Sequence, residues 1–284
     1  MKFFVASLMV WLTINTPAAC AAMINKEPAT DLVDVRRTTS TACFTDGTVK
    51  AAQKHSKLYG NLNTFYTLDA GDKFGVAVVA LGNVDGGGVV DVAVGVQADD
   101  DGGLIMGAVY VLFLDTDGSI KDAQKLSMLY GNLNAFYALD ASDQFGFSVA
   151  ALGDLDDDGV VDMAVGAQYD DDGAADVGAG YVLFLQTDGT IKDAQKLSML
   201  YGGVNAFYTL GSGNLFTISL SGLKDANGDG VADLAVGTFL DDDGGADVGA
   251  AYILFLQTDG TVEGAQKIAM LYGGFSTFLY PRSW

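Results

Sequence analysis

Acidic side chains crowd into one short segment in the middle of the chain. The segment reads GDLDDDGVVDMAVGAQ, and four of its aspartates stand at positions 1, 3, 5 and 9 of a loop, namely Asp154, Asp156, Asp158 and Asp162. Gly159 permits a sharp turn, and the carbonyl of Val160 falls at position 7. Hard oxygen ligands at alternating positions around a glycine turn are what Ca²⁺ coordination requires. The spacing therefore predicts a calcium loop, with Asp157, out of phase, facing water.

Two other interpretations of this loop are an EF-hand and a solvated acidic hairpin. An EF-hand needs a glutamate at position 12 and flanking helices, whereas position 12 here is Val165, inside an apolar run. A hairpin without metal would have to tolerate repulsion of roughly 4 kcal/mol for each pair of like charges about 4 Å apart at an effective dielectric near 20. The charge crowding therefore favours a strand-loop-strand site with a bound cation.

The loop occurs three times, and the copies are not equal. The third copy has a full oxygen set with one fewer charge, from Asp225, Asn227, Asp229, the carbonyl of Val231, and Asp233. The first copy has Gly87 in place of one aspartate and retains Asn83, Asp85 and Asp91. We predict two good calcium sites and one weak site. Their role is structural, because an ion in the turn would cancel repulsion and hold two strands together.

The loops belong to a repeat of 71 residues, marked by Tyr59, Tyr130, Tyr201 and Tyr272. The middle unit is predicted to hold four strands, at residues 145–153, 162–168, 179–186 and 191–201, and no segment has helical periodicity over a helical length. In the last of these strands Lys196 is expected to guard an exposed outer edge. Four short strands per repeat are typical of a propeller blade. The predicted fold is all-β, with three four-stranded antiparallel blades and an extra N-terminal strand near residues 43–58.

Two further motifs carry a family resemblance. Phe145-Gly146 and Gly166-Ala167-Gln168 flank the Asp-x-Asp-x-Asp-Gly loop, and the unit resembles the FG-GAP repeat of integrin α-subunit propellers. The third unit departs from the pattern, with Thr217 after Phe216. The resemblance implies a β-propeller with structural calcium, a role in adhesion or protein recognition, and a ligand face opposite the calcium loops.

The repeat sets the expected organisation of the chain. Three blades are too few to close a ring, since propellers have roughly four to eight, so we expect a partial propeller or one completed by further copies of the chain. The predicted segments are a signal peptide at 1–21, a leader at 22–43, a leading strand and linker at 44–71, blades at 72–142, 143–213 and 214–280, and a tail at 281–284.

A second acidic run, DDDG, joins the second and third strands of each unit, at residues 99–102, 170–173 and 241–244. Successive hairpin loops alternate between the two ends of a blade, so these runs are expected opposite the calcium loops. Linker aromatics lie on the same side: Phe136, Tyr137, Phe207 and Tyr208. An acidic rim with aromatic side chains suits a basic protein partner or a sugar. Packing of these aromatics between blades is the alternative.

Composition narrows the function. The chain has 284 residues and a net charge of −21, which argues against nucleic acid and anionic membrane surfaces. The N-terminal MKFFVASLMVWLTINTPAACAA has the pattern of a secretory signal, so we expect a secreted or cell-surface protein with no membrane span after cleavage. His55 is the only histidine, and no Ser-His-Asp set, nucleotide loop or zinc signature is present. We therefore predict a non-enzymatic binding protein; the alternative is an extracellular polysaccharide-binding or polysaccharide-acting protein.

Overall fold

A computed structural model describes residue 49 and residues 51–270. The predicted signal peptide, the leader, the tail and residues 271–280 of the third blade lie outside the described residues. None of the helices in the described part of the chain is long and apolar enough to cross a bilayer.

The described chain consists of twelve strands and three very short helical turns. The first blade contains β1 (Val78–Gly82), β2 (Asp91–Val96), β3 (Ala108–Leu114) and β4 (Ile120–Leu126). The second contains β5 (Phe145–Gly153), β6 (Asp162–Ala167), β7 (Ala179–Leu185) and β8 (Ile191–Leu197). The third contains β9 (Ser219–Leu223), β10 (Asp233–Thr238), β11 (Ala250–Leu256) and β12 (Val262–Ile268). The α-helical turn α1 (Leu62–Phe65) and two 3₁₀ turns (Leu133–Ala135 and Val204–Ala206) lie in the linkers before the blades.

Each blade is a four-stranded antiparallel meander in which every strand pairs with its neighbour in sequence. The predicted fold class, all-β with propeller-type blades, is confirmed. Tight Asp-Gly turns join the last two strands of each blade, where two-residue hairpins favour residues that tolerate positive φ.

The core lies between the blades, because each sheet is apolar on both faces. Val111 and Phe113 of the first blade pack in one cluster with Val165 and Leu183 of the second. A second cluster joins the second blade to the third in the same way. Linker residues complete these clusters, since Leu133 and Val204 are buried in them. Burial of both sheet faces explains why the inner strands are apolar runs without alternation.

Glycines in the FG and GA motifs let neighbouring blades approach at the backbone. Gly95 of the first blade faces the carbonyl of Gly146 of the second, and a Cβ at either position would clash with backbone. Gly146 also has a φ of 85°, in the region that favours glycine. The two motifs therefore form one contact, made by the GA glycine of one blade and the FG glycine of the next.

The contact between the second and third blades has a residue other than glycine at the FG glycine position. Thr217 takes the FG glycine position at a φ of 72°, and its Oγ1 donates a hydrogen bond of 2.8 Å to the carbonyl of Ala179. Space for its methyl group comes from Gly180, where a Cβ would lie 3.2 Å from Thr217 Cγ2. The first blade has Val109 at that repeat position, opposite Gly146. The larger residue in the third blade is thus compensated by a smaller residue on the facing strand of the second blade.

Two predicted strands are wrong in their extent. The strand predicted at 191–201 ends at Leu197, because the Ser198 N–H donates a hydrogen bond of 3.1 Å to the Tyr201 carbonyl and closes a tight turn. In the described part of the N-terminal segment, residues 51–58 form no strand, and Ser56 makes only a single bridge to Tyr59. Among the described residues the third blade has four strands without this segment. The segment lies instead beside the Gly118 turn of the first blade.

The exchange at the blade contact predicts a coupled pair of substitutions. Gly146→Thr alone should destabilise the protein by several kcal/mol, because the new Cβ meets the Ala108 carbonyl and the Val109 side chain. Adding Val109→Gly should make the double variant about 1–2 kcal/mol more stable than the sum of the single effects. Denaturant unfolding of the four proteins measures this coupling.

Gly75→Thr is the matched control. Gly75 is the FG glycine of the first blade, with a φ of 92°, and no atom stands within 4 Å of its Cβ position. It therefore reports backbone strain without the clash, at a cost of about 1–3 kcal/mol. Equal destabilisation by Gly75→Thr and Gly146→Thr, or strict additivity of the pair, would contradict the compensated exchange.

Candidate metal-binding loops

The Asp loop of the second blade, residues 154–162, brings three of its four predicted side-chain ligands together. One carboxylate oxygen from each of Asp154, Asp156 and Asp162 lies within 4.8 Å of the others, and this is the only such group of three among the described residues. Asp154 also closes the turn, since its two oxygens accept backbone N–H groups of Asp158 and Gly159, each at 2.9 Å. A group of this size and spacing can hold a divalent cation.

The fourth predicted side chain points elsewhere. Asp158 accepts the Val160 N–H at 2.8 Å and contacts the ammonium group of Lys192. Lys192 Nζ also lies 2.8 Å from Asp156 Oδ2. The other oxygen of Asp156, Oδ1, is buried and has no hydrogen-bond partner among residues 51–270. A buried carboxylate oxygen is costly to leave unpaired, so this oxygen fits a bound cation beside Asp154 and Asp162.

Asp91, Asp162 and Asp233 have a second role that the sequence analysis missed. All three are completely buried. Asp162 accepts the backbone N–H of Leu155 at 2.8 Å and that of Leu185 at 3.0 Å, which ties the loop to the end of β7. Burial raises the pKa of Asp162 to about 6. The first blade keeps aspartate at this position although its loop has lost another acid. This observation could have predicted that the aspartate links the loop to the neighbouring strand.

The third Asp loop, residues 225–233, gains an acid from the outer strand. Asp225 accepts backbone N–H groups of Asp229 at 3.0 Å and Gly230 at 2.9 Å, as Asp154 does in the second blade. Asn227 Nδ2 donates to Asp229 Oδ2 at 2.7 Å and to Glu263 Oε1 at 3.3 Å. Glu263, on β12, was not among the predicted ligands. The carbonyls of Val160 and Val231 stay predicted ligands.

The first Asp loop, residues 83–91, is built around a lysine. Asn83 accepts the Gly88 N–H at 2.9 Å, and Asp85 pairs with Lys121 at 2.6 Å. The hydrogen bond from Lys121 holds the pKa of Asp85 below its usual value. A Cβ at Gly87 would lie 2.6 Å from Lys121 Nζ. The lysine head therefore occupies the space that the missing aspartate would need.

The DDDG loops lie at the opposite end of each blade and form buried ion-pair clusters. In the second blade Lys196 Nζ lies 2.7 Å from Asp170 and 2.5 Å from Asp172, and the Tyr181 hydroxyl donates to Asp170 at 2.8 Å. Equivalent lysines pair in the other blades: Lys125 with Asp99 and Asp101, and Lys267 with Asp241 and Asp243.

The predicted exposed lysine edge is therefore wrong. Lys196 is only 4% exposed, because its stem crosses the strand while its ammonium group lies over the Tyr181 ring, 5.1 Å from the centroid. Its charge is compensated by the DDDG carboxylates. Lys192, four residues earlier on β8, contacts the Asp loop instead. The two lysines show that the Asp loop and the DDDG loop are at opposite ends of the blade.

A cleft of about 360 Å³ opens beside the second DDDG loop. Its lining combines acids and aromatics: Phe136, Tyr137, Asp140, Asp143, Asp171 and Tyr201, with Lys196 at its base. Tyr137 packs edge-on against Tyr181 and Tyr201 at centroid distances of 5.8 and 5.9 Å. Phe136 and Tyr137 are half-buried rather than fully exposed. The linker aromatics thus serve both the blade contact and the cleft wall.

Known proteins with similar sequences are integrin α subunits. The chain is 31% identical to integrin alpha-3 of Cricetulus griseus over 182 residues, which cover 63% of this chain and 15% of that protein. It is 34% identical to integrin alpha pat-2 of Caenorhabditis elegans over 175 residues, covering 54% of this chain and 13% of that protein. The repeat region is integrin α-like. No protein-family profile matches the chain.

The integrin α-like region is a small part of those relatives. The chain spans about 15% of the length of integrin alpha-3 and of integrin alpha-4 of Xenopus laevis, to which it is 31% identical over 173 residues. This similarity agrees with the three four-stranded sheets, so the described region is integrin α-like in sequence and consists of propeller-type blades.

One carboxyl group of the integrin α-like second blade is unusually placed. Asp143 is 4% exposed and accepts the Asp140 N–H at 2.7 Å. Burial raises its pKa to about 7, and the nearby charge of Asp170 acts in the same direction, opposed by Lys196. The third blade has Asn214 at this repeat position, and its amide donates to the Leu240 carbonyl at 3.0 Å. A neutral group is therefore the better fit at this site.

The raised pKa of Asp143 predicts a loss of stability with rising pH. The native state holds this proton more tightly than the unfolded chain, so the stabilisation is complete below the unfolded-state pKa and is lost as pH rises through about 7. Asp143→Asn should therefore raise the melting temperature at pH 8 and change it much less at pH 5. For a protein of this size each 1 kcal/mol corresponds to about 2–4 °C.

Asp140→Asn controls for the loss of one exposed carboxylate from the same linker. Differential scanning calorimetry across pH 5–8 compares the three proteins. Parallel pH profiles for the wild type and Asp143→Asn would contradict a protonated Asp143, whatever the contribution of Asp162.

Proposed function

We propose that this chain is an exported integrin α-like protein that recognises a protein ligand in adhesion, with Ca²⁺ as a structural ion. The similarity to integrin α subunits over 63% of the chain carries the proposal. The acidic composition, with a net charge of −21, is compatible with a basic protein ligand and unfavourable for nucleic acid. The proposal places the protein outside the cell or at its surface and gives it no catalytic activity.

The calcium role rests on the Asp loop of the second blade. A bound divalent cation would supply positive charge to carboxylates that otherwise repel one another. Asp154 and Asp162 would hold it while also accepting backbone N–H groups from the loop. Asp156 would contribute Oδ1, the buried oxygen that has no partner within the described part of the chain. The ion would then join the loop to the first two strands of the blade.

The ligand role rests on the opposite end of the blades. The cleft beside the second DDDG loop offers Asp140 and Asp171 as exposed carboxylates and Tyr201, 46% exposed, as an apolar wall. The ion pairs of Lys196 fix the base of this cleft. A basic side chain with an aliphatic stem fits such a cleft by charge and by contact with the ring.

The outer face of the third blade is proposed to contact a further blade. Ile253 and Phe255 of the third blade are half-buried, whereas Val182 and Phe184, which are equivalent in the second blade, are at most 3% exposed. A second copy of the chain would cover this face. Light scattering of the secreted protein tests the assembly, and a compact monomer would contradict it.

Removal of one calcium ligand tests the metal role. We expect Asp156→Asn to reduce the number of Ca²⁺ ions bound in equilibrium dialysis by one, and to reduce the rise in melting temperature on adding Ca²⁺. Saturation to ten times the dissociation constant stabilises by about 1.4 kcal/mol. Asp157→Asn removes the same charge from an exposed, non-ligand position of the same loop, where φ is 60°. Equal melting temperatures in calcium and in chelator would contradict the calcium role.

Cell or matrix adhesion tests the ligand role. The purified chain, coated on a surface and presented to matrix proteins, should bind a basic protein ligand, and Asp171→Lys at the cleft should weaken this binding. Asp188→Lys, on an exposed turn between β7 and β8, is the matched control for the added charge. Binding to a glycan array without binding to protein would support the alternative, a polysaccharide-binding protein.

A further inference from the structure

One residue of the outer strand faces the Asp loop in every blade. The 71-residue step places Lys121, Lys192 and Glu263 at the same position of β4, β8 and β12. In each blade the side chain reaches back across the sheet to the Asp loop. The residue is a lysine in two blades and a glutamate in the third, which reverses the charge that it brings.

In the first blade the lysine replaces a cation. The loop holds two carboxylates, Asp85 and Asp91, and Lys121 pairs with the first of them at 2.6 Å. Asp91 is already engaged by two backbone N–H groups. The position of Gly87 leaves room for the lysine head and supplies no carboxylate. The chain itself thus closes the loop and supplies one positive charge for its two carboxylates.

In the second blade the lysine shares carboxylates with the proposed calcium site. Lys192 contacts Asp156 and Asp158, which are two of the five acids of the loop. Five carboxylates and one ammonium group leave an excess of negative charge. Asp156 Oδ2 is paired, whereas Asp156 Oδ1 has no hydrogen-bond partner among the residues that the structure describes. A bound ion at Oδ1 would share the carboxylate charge of Asp156 with Lys192.

In the third blade the equivalent side chain adds to the acid. Asp225, Asp229, Asp233 and Glu263 give four carboxylates, and Glu263 lies 3.3 Å from Asn227. Within the described residues no lysine ion pair to this loop is found. Its four carboxylates therefore lack, within the described part of the chain, the lysine counter-charge that the first and second loops have.

We propose that the residue at this outer-strand position decides which blades depend on calcium. Lys121 acts as a built-in cation that makes the first blade independent of metal. Lys192 is an internal competitor that weakens the second site, and Glu263 completes the ligand set of the third. Glu263 thereby offsets the one fewer acid at the ligand positions of the third loop. This inference rests on the proposed calcium function of the loops.

Exchange of the outer-strand charge tests the proposal in the full-length protein. Lys192→Met keeps the aliphatic stem and removes the ammonium group, so it should tighten Ca²⁺ binding at the second blade about tenfold. Glu263→Lys should weaken the third site by at least about tenfold, measured by calorimetric titration in an Asp156→Asn background that removes the second site. Lys57→Met, on an exposed residue outside the blades, controls for the change of net charge.

Thermal unfolding without calcium supplies an independent readout. Lys192→Met should lower the melting temperature in chelator and enlarge the rise on adding Ca²⁺, whereas Lys57→Met should change neither. A wild-type chain that binds no Ca²⁺ would overturn the calcium function itself. Calcium binding that is normal in the wild type and unchanged in both Lys192→Met and Glu263→Lys would overturn only this inference.

Discussion

Every blade carries carboxylates in the loops at both of its ends, the Asp loop and the DDDG loop. The other features of the structure depend on how these negative charges are neutralised. The second blade has acids in the Asp loop and in the DDDG loop, and one strand, β8, supplies a lysine to each. The pairs differ in environment. Lys196 is buried, so its ion pairs are less screened by salt, whereas Lys192 is partly exposed. One outer strand therefore supplies a buried counter-ion to one end of the blade and a partly exposed counter-ion to the other.

The second constraint is the close backbone approach between blades. The FG and GA glycines are needed because the strands of neighbouring blades leave no room for a Cβ between Gly95 and Gly146. Thr217 shows that the constraint concerns volume and backbone conformation rather than residue identity. It occupies the same position because Gly180 vacates the space and the Ala179 carbonyl accepts its hydroxyl proton. A propeller-type array can thus tolerate a degenerate motif when the partner blade changes with it.

These constraints explain why the chemistry sits at the ends of the blades. Both faces of the sheets are packed against neighbouring elements. The connecting loops are therefore the parts that can bind an ion or a ligand. At one end the loops carry the proposed calcium sites, and at the other the DDDG loops and linker aromatics form the cleft. The buried Asp143 is predicted to make the stability of this end of the second blade depend on pH. Its carboxyl group occupies a position where Asn214 of the third blade makes a neutral hydrogen bond.

The repeat and the alternation of strands were readable from the sequence alone. A step of 71 residues placed Phe145, Gly146 and the Asp loop at fixed intervals, and the apolar runs gave β5 its bounds at Phe145 and Gly153. The grouping of Asp154, Asp156 and Asp162 also followed from local spacing, since a short loop brings alternate side chains to one side. Such features depend on neighbours in sequence, which is why the pattern suffices.

Only the tertiary structure decided which acids the lysines pair with and which backbone groups the buried aspartates bind. Lys196 alternates like an exposed edge residue, yet it is buried because a DDDG loop 24 residues earlier lies against it. Asp162 was predicted as a ligand, but its hydrogen bond to Leu185 depends on the pairing of β6 with β7. Glu263 lies far from Asn227 in sequence and reaches its loop only across the folded sheet. The sequence determines which charged residues each blade contains. The fold determines which of them form ion pairs, because electrostatic pairing depends on distance in space rather than along the chain.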